Sequence, residues 1–173
     1  MSKTKTGRVL LTVAVALTGI ISTIVDLIPG DEGHMGNTHW LPHAKFHDAA
    51  MFLLLDGMCI MALWLMWRKS KEPKVGMTSG LALVCIFWSA FYYITTLFPD
   101  ASLLAGTGTV PLHMDNIAIW PAPQKNMTPI LFGFFPVYMN VAIGTVLMIV
   151  ALIGTWFYKK GLKIGDMDSR LKL

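Results

Sequence analysis

The stretch VLLTVAVALTGIISTIVDLI, residues 9–28, consists almost wholly of apolar and small side chains. A helix needs about 20 such residues to cross the hydrocarbon core of a bilayer, because each residue adds about 1.5 Å of rise. Three more apolar runs follow, at residues 49–67, 77–98 and 129–158. These four runs predict an all-α polytopic membrane protein built as a four-helix bundle, with residues 1–173 forming a single domain.

The composition also favours lipid over water as the solvent of this chain. Hydrophobic residues make up 54% of the sequence and charged residues 14%, whereas about a quarter of the residues of a soluble domain are charged. The net charge of +4 could suggest a nucleic-acid partner. However, the basic residues lie in three short clusters beside apolar runs and form no stripe. We therefore expect contact with a lipid bilayer and no nucleic-acid partner.

The first apolar run could alternatively be a signal peptide, because it follows Lys3, Lys5 and Arg8. Its length exceeds the roughly 7–15 apolar residues of a signal-peptide core. Pro29 follows the run where a signal peptide would carry small residues before its cleavage site. We expect the run to remain in the mature protein as the first transmembrane helix.

The distribution of lysine and arginine predicts the orientation in the membrane. These residues concentrate in the N-terminus, the loop after the second run and the C-terminal tail, while the other two loops contain only Lys45 and Lys125. Cytoplasmic segments carry the positive excess. Both termini are therefore predicted to be cytoplasmic (N-in, C-in), in a multi-pass protein of the cell membrane, or of the inner membrane in a bacterium.

All five histidines fall in the two loops predicted to be non-cytoplasmic, and four lie in the first of them. With Thr38 as N-cap and Pro42 in the first turn, we expect a helix to begin at His39. His39, His43 and His47 would then follow one another at i, i+4 and i+8 along one ridge. Histidine pairs at this spacing chelate divalent metal ions, so these three residues are candidate metal ligands.

Asp26 is the fourth candidate at this predicted metal site. It lies near the end of the first run, where we expect the depth of His43 and His47, and its carboxylate could orient an imidazole. The cofactor would be a divalent metal ion. A plainer interpretation stays open, because histidines also suit a membrane interface and can simply form hydrogen bonds with loop carbonyls.

Asp56 is a carboxylate in an unusual place, about 13 Å deeper than His47 by helical rise. A charge near the bilayer midplane costs at least ~2.5 kcal/mol, so Asp56 must face the bundle interior and either pair or stay protonated. The candidate partners are Ser89, Tyr92 and Asn140. Since Asp56 lies about 180° from His47 around a helix, either the histidines form a separate shallow site or the helix unwinds near Asp48.

Three smaller features concern packing. Pro136 lies inside the fourth apolar run and predicts a kink, because proline removes a backbone donor. Gly144 and Gly154 predict close helix contacts. Cys59 and Cys85 lie in apolar stretches and are expected to be unpaired thiols in the bundle.

The stretch Asn37-Thr-His-Trp-Leu-Pro-His-Ala-Lys-Phe-His47, with Asp26 before it at the end of the first run, carries a resemblance. It is similar to the W-P-P-H-A-R-F-H element of a little-characterised family of small four-span membrane proteins. Leu41 and Lys45 stand in place of the first proline and the arginine of that element. The resemblance implies a four-span layout and singles out His43 and His47 within P-H-A-K-F-H. It implies no activity, because none is established for that family.

Three classes of function remain open, and the sequence does not decide whether the protein is an enzyme. The first is a small membrane enzyme acting on a lipid-like substrate, with His43, His47 and Asp56 as candidate catalytic residues. The second is an accessory subunit of a larger membrane protein complex, which would expose an apolar or small-residue stripe. The third is a transporter or channel with Asp56 as an ion or proton relay. Four spans are few for this function unless the protein forms a homo-oligomer, and a transporter would usually show paired interrupted helices. We rank the enzyme or ligand-binding site first.

The predicted orientation can be tested with topology reporters. Reporter fusions at Lys69 and at the C-terminus should give a cytoplasmic signal, and fusions at Gly36 and Gly108 should give a signal from the opposite side. The reason is that the lysine and arginine content of every flanking segment agrees with this orientation. A cytoplasmic signal at Gly108 would contradict the four-span topology.

Overall fold

The computed structural model of the chain describes residues 2–27, 35, 41–98, 130–131, 135–136 and 139–170. For residues 26, 95, 130–131, 135–136, 139–140 and 164–170 the description covers the backbone alone. His34, His39 and His113 therefore lie outside the described residues, as does most of the two long loops that contain them.

The described chain consists of long helices and one very short hairpin. The helices are α1 (Lys3–Leu27), α2 (Pro42–Trp67), α3 (Pro73–Leu97) and α4 (Met139–Arg170). The strands β1 (Ile130–Leu131) and β2 (Phe135–Pro136) pair in antiparallel register. All four helices are long and apolar enough to cross a membrane. The predicted helical four-span architecture is confirmed, and the chain is a multi-pass membrane protein.

The start of α2 differs from the sequence prediction. The helix begins at Pro42, and Leu41 before it is extended, with φ −60° and ψ 145° and no side-chain capping bond. A residue that precedes proline is disfavoured in the helical region, because the proline ring clashes with its backbone. The expected helix start at His39 is therefore wrong, and the predicted cap Thr38 lies outside the described residues. Of the three predicted ridge residues, only His43 and His47 belong to α2.

The fourth helix also begins later than expected. Pro136 lies in β2, before Met139 opens α4, so the predicted kink inside the fourth helix is wrong. A proline that cannot donate to a helix or sheet ladder is better tolerated in such an edge position. The candidate span of this helix is Val141–Lys163. Asn140, expected at mid-span, lies in the first turn of α4.

Helix α1 is the central element of the bundle. It contacts α2, α3 and α4, and α3 contacts both α2 and α4, whereas no Cα atoms of the described parts of α2 and α4 lie within 8 Å of each other. Gly161 of α4 lies beside Thr4, and Gly76 of α3 beside Leu65. The start of α1, the part of α4 around Gly161 and the α2–α3 loop are therefore at one end, which we call the basic end. The opposite end, where α2 begins, is called the histidine end. Which end faces the cytoplasm stays a prediction.

Glycines allow the helices to approach closely. A Cβ atom at Gly154 would lie 2.9 Å from both the Gly7 carbonyl oxygen and the Leu11 amide nitrogen of α1. A Cβ atom at Gly144 would lie 2.6 Å from the Trp88 ring of α3. The close contacts predicted for these two glycines are confirmed, and backbone-to-backbone packing of this kind is a major source of helix association in lipid.

A buried hydrogen-bond chain ties α3 to α1 in the core. Trp88 donates its indole N–H to the Thr18 hydroxyl oxygen over 2.9 Å, and Thr18 donates to the Ala14 carbonyl over 2.8 Å. Thr18 is fully buried, so both of its hydrogen-bonding roles are met inside the protein. Cys59 and Cys85 are free thiols, as expected.

At the basic end, Arg8 joins three helices. Its guanidinium lies 5.3 Å from the Trp67 ring centroid of α2 and 5.8 Å from that of Tyr158 in α4. The Trp67 indole N–H donates to the Thr12 hydroxyl over 2.8 Å. The cation–π contacts hold the Arg8 guanidinium and the two aromatic rings at the same depth along the bundle. Charged and amphipathic aromatic side chains at one depth are typical of a membrane interface.

The glycine contact between α1 and α4 leads to a stability prediction. Gly154→Ala should lower the melting temperature in detergent, because the added methyl meets backbone atoms and overpacking costs about 1–3 kcal/mol. Gly57→Ala is the matched control, since a Cβ at Gly57 meets no atom within 4 Å. The control should be neutral or slightly stabilising, because alanine favours helix by up to ~1 kcal/mol. Equal melting temperatures for both variants would refute the close α1–α4 packing.

Candidate functional site

The first turns of α2 bring two histidines into direct contact. The Nε2 atoms of His43 and His47 lie 2.9 Å apart, and the ring centroids lie 4.4 Å apart with planes at 81°. Residues at i and i+4 are neighbours on a helix surface, so this contact follows from the spacing. When both rings are neutral, one Nε2 atom carries a proton and donates a hydrogen bond to the unprotonated Nε2 atom of the other ring. Both side chains are exposed, so the pair is open to a ligand.

Phe46 packs beside both histidines. Its ring stacks at 13° to the His43 ring with 6.3 Å between centroids. Against His47 it lies edge-on, with 5.6 Å between centroids. The contacts with Phe46 restrict the side-chain rotamers of the two histidines. Holding the two Nε2 atoms face to face therefore costs less additional side-chain entropy.

Within the described residues, the histidine pair is not part of a larger ligand group. No group of three or more His, Cys, Asp or Glu side chains that could hold a metal ion occurs there. His39, the third histidine predicted to ligate, lies outside this part of the chain, and its role stays a prediction. The described site therefore offers two imidazole ligands.

Asp26 is deeper in the bundle than the sequence suggested. Thr23 of α1 pairs with Asp56 of α2, which sets the register of these helices. Asp26 follows Thr23 by three residues, so its backbone is about 4.5 Å nearer the histidine end than Thr23 is. His47 precedes Asp56 by nine residues and is about 13 Å nearer that end than Asp56 is. The Asp26 backbone thus lies about 9 Å below His47, not at the same depth. Its side chain is outside the described residues, so its proposed orienting role stays a prediction.

Asp56 faces the interior and is hydrogen-bonded. The Thr23 hydroxyl donates to the Asp56 Oδ2 atom over 2.7 Å. The other carboxylate oxygen, Oδ1, lies 2.7 Å from the position a Cβ of Gly19 would take. Helix α1 thus supplies both a donor and the space for the carboxylate. This contact provides the polar partner that a carboxylate needs at such a depth.

The sequence prediction missed Thr23 as the partner of Asp56. Ser89 donates to the Ile86 carbonyl, and Tyr92 pairs with Thr145 of α4. The side chain of the third candidate, Asn140, is outside the described residues. The available signal was the pair Gly19 and Thr23, since a small residue one turn from a hydroxyl donor marks a helix face that admits a polar group.

The histidine pair and Asp56 form separate sites. Helix α2 is continuous from Pro42 to Trp67, so it does not unwind near Asp48. On a continuous helix Asp56 is about 180° from His47 around the axis and about 13 Å deeper. Of the two arrangements left open by the sequence, the separate shallow histidine site is the one observed. Asp56 is therefore not brought to the same reacting centre as the histidines.

These features define a four-span membrane protein with a shallow histidine pair and a separate interior carboxylate. The chain belongs to a family of unknown function (DUF6640), which matches residues 10–155. The match includes the P-H-A-K-F-H element, and the resemblance to a little-characterised four-span family is confirmed. Neither the curated proteins nor the solved structures compared with this chain give a match.

The contacts of Asp56 predict how substitutions act on stability. Asp56→Asn should be tolerated in expression and in detergent melting, because an amide oxygen can still accept from Thr23 and no charge needs to be buried. Asp56→Leu should lower the melting temperature, since it leaves the Thr23 hydroxyl without its acceptor at a cost of about 1–3 kcal/mol.

Thr23→Val provides the test of this pair. Asp56→Leu should lower the melting temperature less in the Thr23→Val background than in the wild type. The reason is that Thr23→Val has already removed the hydrogen bond between the two residues. If Asp56→Leu melts like the wild type, Asp56 faces lipid and the α1–α2 register is wrong.

Proposed function

We propose that His43 and His47 bind a divalent metal ion at the non-cytoplasmic face, where the site acts on a lipid-like substrate as a small membrane enzyme. The single observation that carries this proposal is the 2.9 Å separation of the two Nε2 atoms. The orientation of the face comes from the distribution of lysine and arginine.

The distance between the nitrogens suits a shared metal ion. With metal–nitrogen bonds of about 2.05 Å, two ligand nitrogens are separated by roughly 2.9 Å at a 90° angle and roughly 3.3 Å at a tetrahedral angle. The observed separation of 2.9 Å is within a few tenths of an ångström of both values. Chelation would require both imidazoles to turn their Nε2 lone pairs away from each other and towards a common ion.

Two protein ligands would leave coordination positions for water and substrate. An ion held in this way could polarise a carbonyl or phosphoryl oxygen or activate a bound water. Without a metal, the same pair supports acid–base chemistry, because one imidazole can accept a proton while its neighbour donates one. In both versions Asp56 acts as an interior polar anchor, since it is too deep to reach an atom bound at the histidines.

The two rival classes have less support. A subunit of a larger complex would expose an apolar or small-residue stripe. The small residues Gly7, Gly144 and Gly154 are used in contacts between helices of the bundle, and exposed apolar side chains such as Leu53 and Ile60 are equally suited to contact with lipid. Among the helix glycines from Gly7 to Gly161, Gly57 alone would meet no atom within 4 Å of an added Cβ. A transporter would be expected to have interrupted helices, but none of α1 to α4 contains a proline beyond its first turn. An enzyme or ligand-binding site therefore remains the first choice.

Metal titration of the purified protein in detergent tests the proposal. We expect the wild type to bind one Zn²⁺ per chain. His43→Ala and His47→Ala should each weaken binding by at least the ~10–100-fold known for the loss of supporting residues around metal ligands. The double variant should lose little more, because the two ligands act as a unit. Acidification should release the ion, since imidazole must be neutral to ligate.

Lys45→Gln is the matched control, because Lys45 lies between the histidines but about 200° around the helix from His43. It should bind Zn²⁺ like the wild type. Undiminished binding in both single histidine variants would reject the site. A wild type that binds no metal would reject the metal version and leave the acid–base version.

A further inference from the structure

A recess of about 320 Å³ runs between α2 and α3 on the outer surface of the bundle. Leu55 and Leu83 form its floor and are almost completely buried, whereas Leu54 and Ile86 at its rims are 66% and 69% exposed. Its volume is at the lower end of the roughly 300–1,000 Å³ typical of small-molecule pockets. The complete lining is Met51, Leu54, Leu55, Met58, Ser79, Ala82, Leu83, Ile86 and Phe87.

The recess is suited to a hydrocarbon chain. Ser79 is the one hydroxyl residue among the lining side chains, and it donates to the Val75 carbonyl over 3.0 Å, so its donor is already used. Met51 and Met58 supply flexible, polarisable thioethers that adapt to chains of varied shape. Two packed helix axes are about 8–10 Å apart, so the groove between the outward-facing rims of α2 and α3 is narrow and suits one chain rather than two.

The recess and the histidine pair lie on the same face of α2. Measured from His43 around the helix axis, His47 is at about 40° and Met51 at about 80°. Leu54 and Met58 fall at about 20° and 60° on the same scale. Along the axis, Met51 is about 6 Å below His47, one helical turn. A chain in the recess would thus place its polar end at the two imidazoles.

We infer that this recess holds the hydrocarbon chain of a single-chain carboxylate whose head group lies at His43 and His47. The inference rests on the proposed function of the histidine pair and names the class of its substrate. An anionic oxygen would be attracted by an imidazole N–H or by an ion held between the rings, through a charge-assisted contact. The chain would run from the histidine end towards Ser79, beside Met51 and Met58.

The probe for this inference is palmitate with a diazirine in mid-chain, added to the full-length protein in phosphatidylcholine nanodiscs. After photolysis, mass spectrometry should locate adducts on Met51, Met58 or Ile86, and unlabelled palmitate should compete for them. The corresponding fatty alcohol should label the recess less, because its head group carries no charge.

Ala82→Phe should fill the recess and reduce labelling by about tenfold, because losing the burial of about two methylene groups of the chain weakens binding by roughly that factor. Val146→Phe is the control, because Val146 is 59% exposed on α4, away from the recess. Equal melting temperatures of the two variants show that both fold. The double variant His43→Ala/His47→Ala should label with palmitate only as weakly as with the alcohol.

Labelling spread over the exposed residues of all four helices, or unchanged in Ala82→Phe, would overturn the inference, and so would palmitate labelling independent of the histidines. Zn²⁺ binding separates this failure from failure of the proposed function. If the ion binds and Ala82→Phe labels normally, only the inferred chain site is wrong. If labelling depends on Ala82 and on the histidines but no ion binds, the chain site stands and the metal proposal fails.

Discussion

The continuity of α2 is the constraint on which the functional arrangement depends. In hydrocarbon, a helix keeps its backbone amides and carbonyls bonded to one another, so unwinding it to reorient one side chain is costly. Because α2 is unbroken from Pro42 to Trp67, its polar residues are distributed by helical geometry alone. His43 and His47 share one face with the recess towards α3, and Asp56 faces α1. The helix thus separates a surface site from an interior carboxylate.

The rest of the bundle supports this separation. Helix α1 contacts every other helix and carries the atoms that receive Asp56, while the described parts of α2 and α4 are apart. The core is stabilised by glycine contacts between α1 and α4 and by the hydrogen bond from Trp88 of α3 to Thr18 of α1. Because α2 is engaged on its α1 side, its opposite face is left to border the recess and to carry the histidines. A shallow ligand site on this face therefore does not require the core to open.

The sequence predicted well what depends on periodicity and hydropathy. Four spans, the close glycine contacts and the opposite directions of His47 and Asp56 follow from rise and angle per residue. The predicted start of α2 at His39 is wrong because Pro42 disfavours a helical Leu41, and Leu41 is extended. The predicted kink at Pro136 is wrong because apolar character alone does not distinguish strand from helix, and Pro136 lies in β2, before α4 begins at Met139. Thr23 was missed as the partner of Asp56, since the register between two helices is set by tertiary packing and not by either sequence alone.

The most direct test of the central claim is the X-ray absorption spectrum of the protein loaded with one equivalent of Zn²⁺. A site formed by His43 and His47 predicts a first shell containing two imidazole nitrogens at about 2.0–2.1 Å, with the multiple scattering of the rings. Replacing His47 by alanine should remove one of these rings from the spectrum. A first shell of oxygen atoms alone, or a spectrum unchanged by that substitution, would contradict the assignment of the histidine pair as a metal site.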